Sequence, residues 1–265
     1  MSEDRVLMAR DGAVAHVTLN RPDKRNGLDL PMFDAILAAG ESLAKDPTVR
    51  AVVLDAAGPS FCAGLDWKAF MSDPDASRRL LHRPDGKPAN LAQQVAWVWQ
   101  EVPVPVICAI QGQAFGGGLQ LAMGADLRYA TPGAELSVME IRWGLIPDMG
   151  ITQTLARTVP TDVLKELTWT GRRVGAEEAL RLGLITRIDS DPLKLARETA
   201  SAIAGRSPDA IRAGKQLLRD APGKGVSESF LFETELQLPL LGSKNQMEAV
   251  MANFQKRDPV FSDPQ

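Results

Sequence analysis

Glu140 and Asp148 stand eight residues apart in a stretch otherwise made almost wholly of apolar residues and glycine, Ser137-Val-Met-Glu140-Ile-Arg-Trp-Gly-Leu-Ile-Pro-Asp148-Met-Gly150. Carboxyls in such surroundings are poorly hydrated, which raises their pKa values toward neutrality and fits them to give and take protons. The competing reading is a surface pair in which Arg142 neutralises Glu140. Two glycine-containing turns supply what carboxylates lack, a place for a developing negative charge. Phe61-Cys-Ala-Gly-Leu-Asp66 follows a buried apolar run, and its small residues let the backbone approach a ligand. A helix beginning near Asp66 would aim free N–H groups at an anion. Gly112-Gln-Ala-Phe-Gly116-Gly-Gly118-Leu-Gln120 lies between another apolar run and a helix, so its glycines leave backbone N–H groups unpaired at a helix start. Each turn alone is also consistent with tight packing. Together they can present two amides to one carbonyl oxygen.

The composition narrows the chemistry further. The chain has 265 residues, a formal net charge of −3, two cysteines and two histidines. His16 lies in an alternating apolar stretch and His82 in a polar, proline-containing one, so a Ser-His-Asp or Cys-His mechanism has at most two candidate bases, each of which reads first as a structural or solvated residue. Two cysteines build neither a disulfide framework nor a thiolate metal site, which fits a reducing compartment. An acidic balance with few aromatic residues argues against a nucleic-acid surface. The charged start, Met1-Ser-Glu-Asp-Arg-Val, has no apolar leader core. The longest apolar run, Val102 to Ile110, is far shorter than the roughly 20 residues of a membrane helix. The expected place is the cytoplasm.

The elements that must position these groups alternate. Arg5 to Met8 and Ala13 to Leu19, around Asp11-Gly12, read as a hairpin. Pro31 to Asp46 reads as a helix capped by Asp29, with Met32, Phe33, Ile36, Leu37 and Leu43 on one face. Ala51 to Leu54 and Val104 to Ile110 read as buried strands, and Asn90 to Gln100 as a helix. Ser72 to Pro88, rich in proline and charge, reads as a mobile surface loop. Beyond the Gly-rich turn come a helix to about Gly124 and strands near Leu127 to Ala130 and Glu135 to Ser137. Helices follow at Thr161 to Thr168, Ala176 to Leu182, Leu193 to Ala204, Val226 to Leu241 and Lys244 to Gln255. Strands alternating with helices imply an α/β fold with parallel pairing and a helical last third. Trp67, Phe70, Met71, Trp97 and Trp143 are candidates for an acyl pocket or for the core.

An ordered series of segments resembles the crotonase superfamily, the enoyl-CoA hydratase and isomerase group. It comprises Asn20-Arg-Pro-Asp-Lys-Arg-Asn-Gly-Leu28, the Phe61 to Asp66 turn, Pro105-Val-Ile-Cys-Ala-Ile-Gln-Gly112 leading into Gly116 to Gly118, and Leu145-Ile-Pro-Asp-Met-Gly150. It continues through Thr170-Gly-Arg-Arg-Val-Gly-Ala-Glu-Glu-Ala-Leu-Arg-Leu-Gly-Leu-Ile185 and extends over essentially the whole chain. The resemblance implies an acyl-CoA-binding core of ββα turns over residues 1–195 and a helical region over residues 196–265 that joins subunits into trimers or dimers of trimers. It further implies an enzyme of fatty-acid metabolism that acts on a coenzyme A thioester and needs no other cofactor or metal. The thioester oxygen would be held by the backbone N–H groups of Leu65 and Gly117. The CoA would run along Cys62, Ala63, Gly64 and Asp66, with Gly116 beside it and Lys24 and Arg25 near its phosphates.

The chain departs from the family's hydratases at one position. Where they carry the first of two glutamates it has Gln120, an amide that orients water but does not exchange a proton near neutral pH. Asp148 stands where the hydratases have glycine and matches the dienoyl-CoA isomerase pattern. The 4-chlorobenzoyl-CoA dehalogenase branch also has an aspartate there, but pairs it with a Trp at the Glu140 position and a histidine this chain does not place. The expectation is therefore a double-bond shift by Glu140 and Asp148. The alternatives are hydration of a 2-enoyl-CoA by Glu140 with Gln120 holding the water, and an acyl-CoA binder without chemistry.

Overall fold

A computed structural model describes residues 4–264 of the chain. Strand β1 (Val6–Asp11) pairs antiparallel with β2 (Val14–Leu19), closed by Gly12 at φ +55°. Helix α1 (Leu30–Lys45) begins where Asp29 accepts a 3.0 Å hydrogen bond from the Met32 N–H, and it buries Met32, Phe33, Ile36 and Leu43. Strand β3 (Ala51–Ala56) leads into α2 (Trp67–Ser72), α3 (Ala76–Leu81) and α4 (Leu91–Glu101). The Asn90 and Gln93 side chains close a reciprocal capping box on α4. Next come β4 (Val106–Ile110), β5 (Gln113–Phe115), α5 (Gly117–Met123), β6 (Leu127–Ala130), β7 (Glu135–Ser137) and α6 (Thr161–Thr170). The last third holds β8 (Val174–Gly175), α7 (Ala176–Arg181), β9 (Arg187–Ile188), α8 (Pro192–Ala204), α9 (Pro208–Asp220), α10 (Val226–Gln237) and α11 (Lys244–Gln255).

Six strands form the main sheet in the order β1-β2-β3-β4-β6-β9, parallel throughout except for the first hairpin, and β5, β7 and β8 form a smaller second sheet. The central strands β3 and β4 are buried along their whole length, as a parallel sheet covered on both faces requires. Alternate residues go to opposite sides. Val52, Leu54, Val106, Cys108 and Ile110 join the main core, whereas Val53, Ile107 and Ala109 meet Ala196 and Ala200 of α8. Helix α8 thus packs on the sheet as a whole. Residue 195, where the sequence reading divides core from helical region, lies within α8.

The stretch between residues 72 and 88 contains more order than its composition suggests. Ala76 and Leu80, four apart on α3, are both buried, and Arg79 ties α3 to Asp34 of α1 at 2.7 Å. A pair of small and apolar anchors at helical spacing suffices to seat one and a half turns. Helix α9 has no counterpart in the sequence reading. Its cation Lys215 is buried and holds Asp126 at 2.7 Å and the carbonyls of Trp99 and Val104. Among the described residues no helix is long and apolar enough to cross a membrane, and no cluster of three or more His, Cys, Asp and Glu is placed to hold a metal.

Candidate active site

Three backbone segments are stitched together at the carboxyl end of the sheet. The Cys62 N–H donates to Gln113 O and the Phe115 N–H to Cys62 O, which brings the Phe61 to Asp66 turn against the start of α5. The Leu28 N–H donates to Gly64 O, and the Asp66 N–H to Leu28 O, which adds the Asn26 to Leu28 segment. Asn26 fixes that segment: it is fully buried at φ +53°, and its amide donates to the carbonyls of Ala57 and Ser60. Two glycines permit the close approach. A Cβ on Gly64, which sits at φ +90°, would stand 2.7 Å from Phe115 O, and one on Gly117 would stand 2.7 Å from Met149 Sδ. The same Cβ on Gly64 would lie 3.7 Å from the Gly117 nitrogen, so the two turns face each other. Among the described residues neither the Leu65 nor the Gly117 N–H has an acceptor in the protein.

A cavity of about 740 Å³ opens at this junction. Ala63, Gly64, Leu65, Gly116 and Gly117 form part of its wall, and both Glu140 and Asp148 line it as well. Glu140 starts a short 3-10 turn, Glu140–Trp143, and Arg142 does not pair with it. Its Oε1 accepts a 2.7 Å hydrogen bond from Gln120 Nε2, while its Oε2 is buried without a partner among the described residues. Gln120 is itself 1% exposed, and its carbonyl oxygen accepts the Met149 N–H at 2.9 Å. Burial pushes the Glu140 carboxyl above the ordinary carboxylate range; the Gln120 hydrogen bond offsets part of this and the Asp148 charge adds to it. Asp148 is open to the cavity, yet the protein around its carboxyl also raises its pKa.

The chain belongs to the enoyl-CoA hydratase/isomerase family. The family's model matches residues 9–264. An enoyl-CoA hydratase from Mycobacterium tuberculosis is 31% identical over 261 residues, spanning 97% of this chain and 96% of that protein. A mitochondrial Delta(3,5)-Delta(2,4)-dienoyl-CoA isomerase from Rattus norvegicus is 32% identical over 259 residues, 92% of this chain and 77% of its own length. The crystal structure of an enoyl-CoA hydratase from Bacillus anthracis superposes with a TM-score of 0.90 at 28% identity, covering 97% of this chain and 98% of that one. The architecture is thus the crotonase fold.

Not every expected site residue reaches the cavity. Lys24 and Arg25 lie exposed on a neighbouring 3-10 turn. Cys62 is buried behind the cavity wall, its N–H and carbonyl are both engaged, and its thiol donates to Asn26 O at 3.0 Å, so its polar groups are all used in building the turn. Burial pushes that thiol up to about 12. Asp66 caps α2 by accepting the Ala69 N–H and pairs with Arg21 at 2.7 Å, which makes it a structural carboxylate as well. Of the five aromatic and Met candidates, Trp67, Phe70 and Trp143 line the cavity, and Met71 and Trp97 do not. Trp67 and Trp143 pack against each other with ring centroids 5.0 Å apart. Leu28, Phe33, Leu80 and Met149 also line it. The sequence reading assigned none of these four to the site, because each looks like an ordinary core position.

Proposed function

We infer that the protein moves a double bond along an enoyl- or dienoyl-CoA thioester. The observation that carries this reading is the presence of two carboxyls with raised pKa values on the wall of the cavity into which the Leu65 and Gly117 amides open. With the thioester oxygen between these amides, one carboxyl, ionised, takes a proton from carbon. The C–H pair moves into the carbon chain and the carbonyl pair onto oxygen, giving an enolate held by the two N–H groups. The other carboxyl, protonated, then delivers its proton to the far end of the conjugated system, and the electron pair returns from oxygen. No water and no redox partner enter the balance. Each oxyanion donor of this kind contributes about 3 kcal/mol to lowering the barrier. The CoA itself would leave along Ala63 and Gly64, and Lys24 and Arg25, exposed on the neighbouring turn, would supply local cations for its phosphates despite the net charge of −3. The two free, buried thiols accord with a cytoplasmic place.

A second reading is hydration of 2-enoyl-CoA with Glu140 handling both proton steps, and it is supported by the hydratase names of several relatives. Purified protein given 3-enoyl-, 3,5-dienoyl- and 2-enoyl-CoA separates the two by product. Isomerisation of the first two substrates is the expected result. Rapid hydration of the third without isomerisation would overturn the double-bond shift, and no absorbance change at high protein concentration would leave only a binder.

A further inference from the structure

The rings of this protein are unevenly spread. The chain has one Tyr, five Trp and eight Phe, and aromatic residues make up 5% of it. Four of these rings, Phe33, Trp67, Phe70 and Trp143, line the one cavity that also holds Glu140 and Asp148. Three separate elements bring them there. Phe33 comes from α1 and is 1% exposed, Trp67 and Phe70 stand three apart on α2, and Trp143, 58% exposed, ends the 3-10 turn that Glu140 begins. The rings therefore reach from the solvent-facing rim to the buried wall. Trp67 and Trp143 meet with centroids 5.0 Å apart and planes tilted by 36°. Trp67 is two residues past Leu65 and Trp143 three past Glu140, so the pair stands beside the groups that would handle the thioester. Charge is scarce on the same wall. Among the described residues no Lys, Arg or His lines the cavity, and Ser77 supplies its one hydroxyl.

We propose that the acyl group taken by this site ends in an uncharged aryl ring, which packs among Phe33, Trp67, Phe70 and Trp143 beyond the carbons that exchange protons. This names a substrate class for the thioester reading above and rests on it. An aryl ring buries about as much hydrocarbon as an alkyl tail of equal carbon number. It also adds edge-to-face and offset contacts with the surrounding rings, and it has fewer rotors to freeze on binding. A carboxylate at the end of the tail would meet no cation in the cavity. A trimethylammonium tail can rest on tryptophan faces, but its only counter-ions on this wall would be Glu140 and Asp148, whose surroundings favour the protonated form.

Two pairs of thioesters matched in carbon number isolate the ring. 5-Phenylpent-3-enoyl-CoA and undec-3-enoyl-CoA offer the same reacting double bond, and 5-phenylpentanoyl-CoA and undecanoyl-CoA are their unreactive counterparts. The aryl member should have a kcat/KM about two- to tenfold higher in the first pair, and a Kd lower by a similar factor in the second. Trp67→Leu and Trp143→Leu each remove one ring and keep an apolar side chain, so each should lose more on the aryl member than on the alkyl one and bring the ratio toward one. A thermal melt checks that both variants are folded. Wild-type protein that prefers the alkyl members, or a ratio unchanged in both variants, would overturn the aryl site, as would tighter binding of a thioester ending in trimethylammonium. The binding pair needs no turnover and so separates the two readings. Tighter binding of the aryl thioester without isomerisation sinks the double-bond shift and leaves the aryl site standing, and isomerisation with an alkyl preference does the reverse.

Discussion

At the scale of single residues, the proposed chemistry depends on two backbone N–H groups, of Leu65 and Gly117, and on two carboxyls with raised pKa values. Gly64→Ala would place a Cβ 2.7 Å from the backbone oxygen of Phe115 in a residue held at φ +90°, forcing apart the two turns whose amides are proposed to meet the thioester oxygen. Turnover should drop by about 100-fold or more, whereas Leu65→Ala keeps its N–H and should retain most activity; steady-state kinetics on one substrate compares them. Asp148→Asn should cost isomerisation about 100-fold while leaving the Kd for a CoA analogue unchanged, which calorimetry would verify. Burial of Glu140, and the protein crowding the otherwise open Asp148, hold both carboxyls above their ordinary values, so the folded protein binds these protons more tightly than the unfolded chain. That stability is complete below the unfolded values and is lost as pH rises through the raised folded ones. Glu140→Gln should therefore melt at a higher temperature than wild type near pH 8 though inactive, by roughly 2–4 °C per kcal/mol, with the gap closing as the pH approaches about 4. Glu140, Asp148 and the two turns could be singled out in the sequence from their apolar and glycine-rich surroundings, the family resemblance decided between their alternative readings, and the structure brings them to one cavity. The role of Gln120 as a bridge could not be read there, because it depends on the Met149 N–H, 29 residues away.

At the scale of elements, helix α1 was readable from the Asp29 cap, the nearby proline and five apolar positions, of which Met32, Phe33, Ile36 and Leu43 are buried. Its partner contact was not. Gly40 lets α1 approach α4 so closely that a Cβ would fall 2.5 Å from Val98 Cγ2. Gly40→Ala should destabilise the protein by about 1–3 kcal/mol, and adding Val98→Ala should recover part of this; denaturant melts of the single and double variants would test the coupling. Helix α3 escaped prediction because it is short and rich in charge. Helix α9 escaped because its buried anchor is a lysine, which no apolar pattern reveals; only the tertiary partners Asp126, Trp99 and Val104 make that burial tolerable.

At the scale of the whole molecule, the alternating sheet and helix order and the long helical end were both visible in the sequence. The faces of the last two helices need a partner to make sense. Helix α10 buries none of its residues within the chain, and Val226, Phe230, Leu231 and, on α11, Phe254 are exposed, the last by 82%. Apolar area of this extent is costly in water, and we expect it to be covered by further copies of the chain. Sedimentation equilibrium should give about three or six times the 28.6 kDa chain mass, and Phe230→Asp combined with Phe254→Asp should shift it toward the monomer. The two thiols offer an independent view of the same molecule. Cys62 lies in a site turn and Cys108 in the middle of the central strand β4, both fully buried with strongly raised pKa values. An alkylating reagent can reach either one only when the chain opens around it. The native protein therefore carries two built-in clocks: the labelling rate of Cys62 times the parting of the two glycine-containing turns, and that of Cys108 times the loss of the sheet.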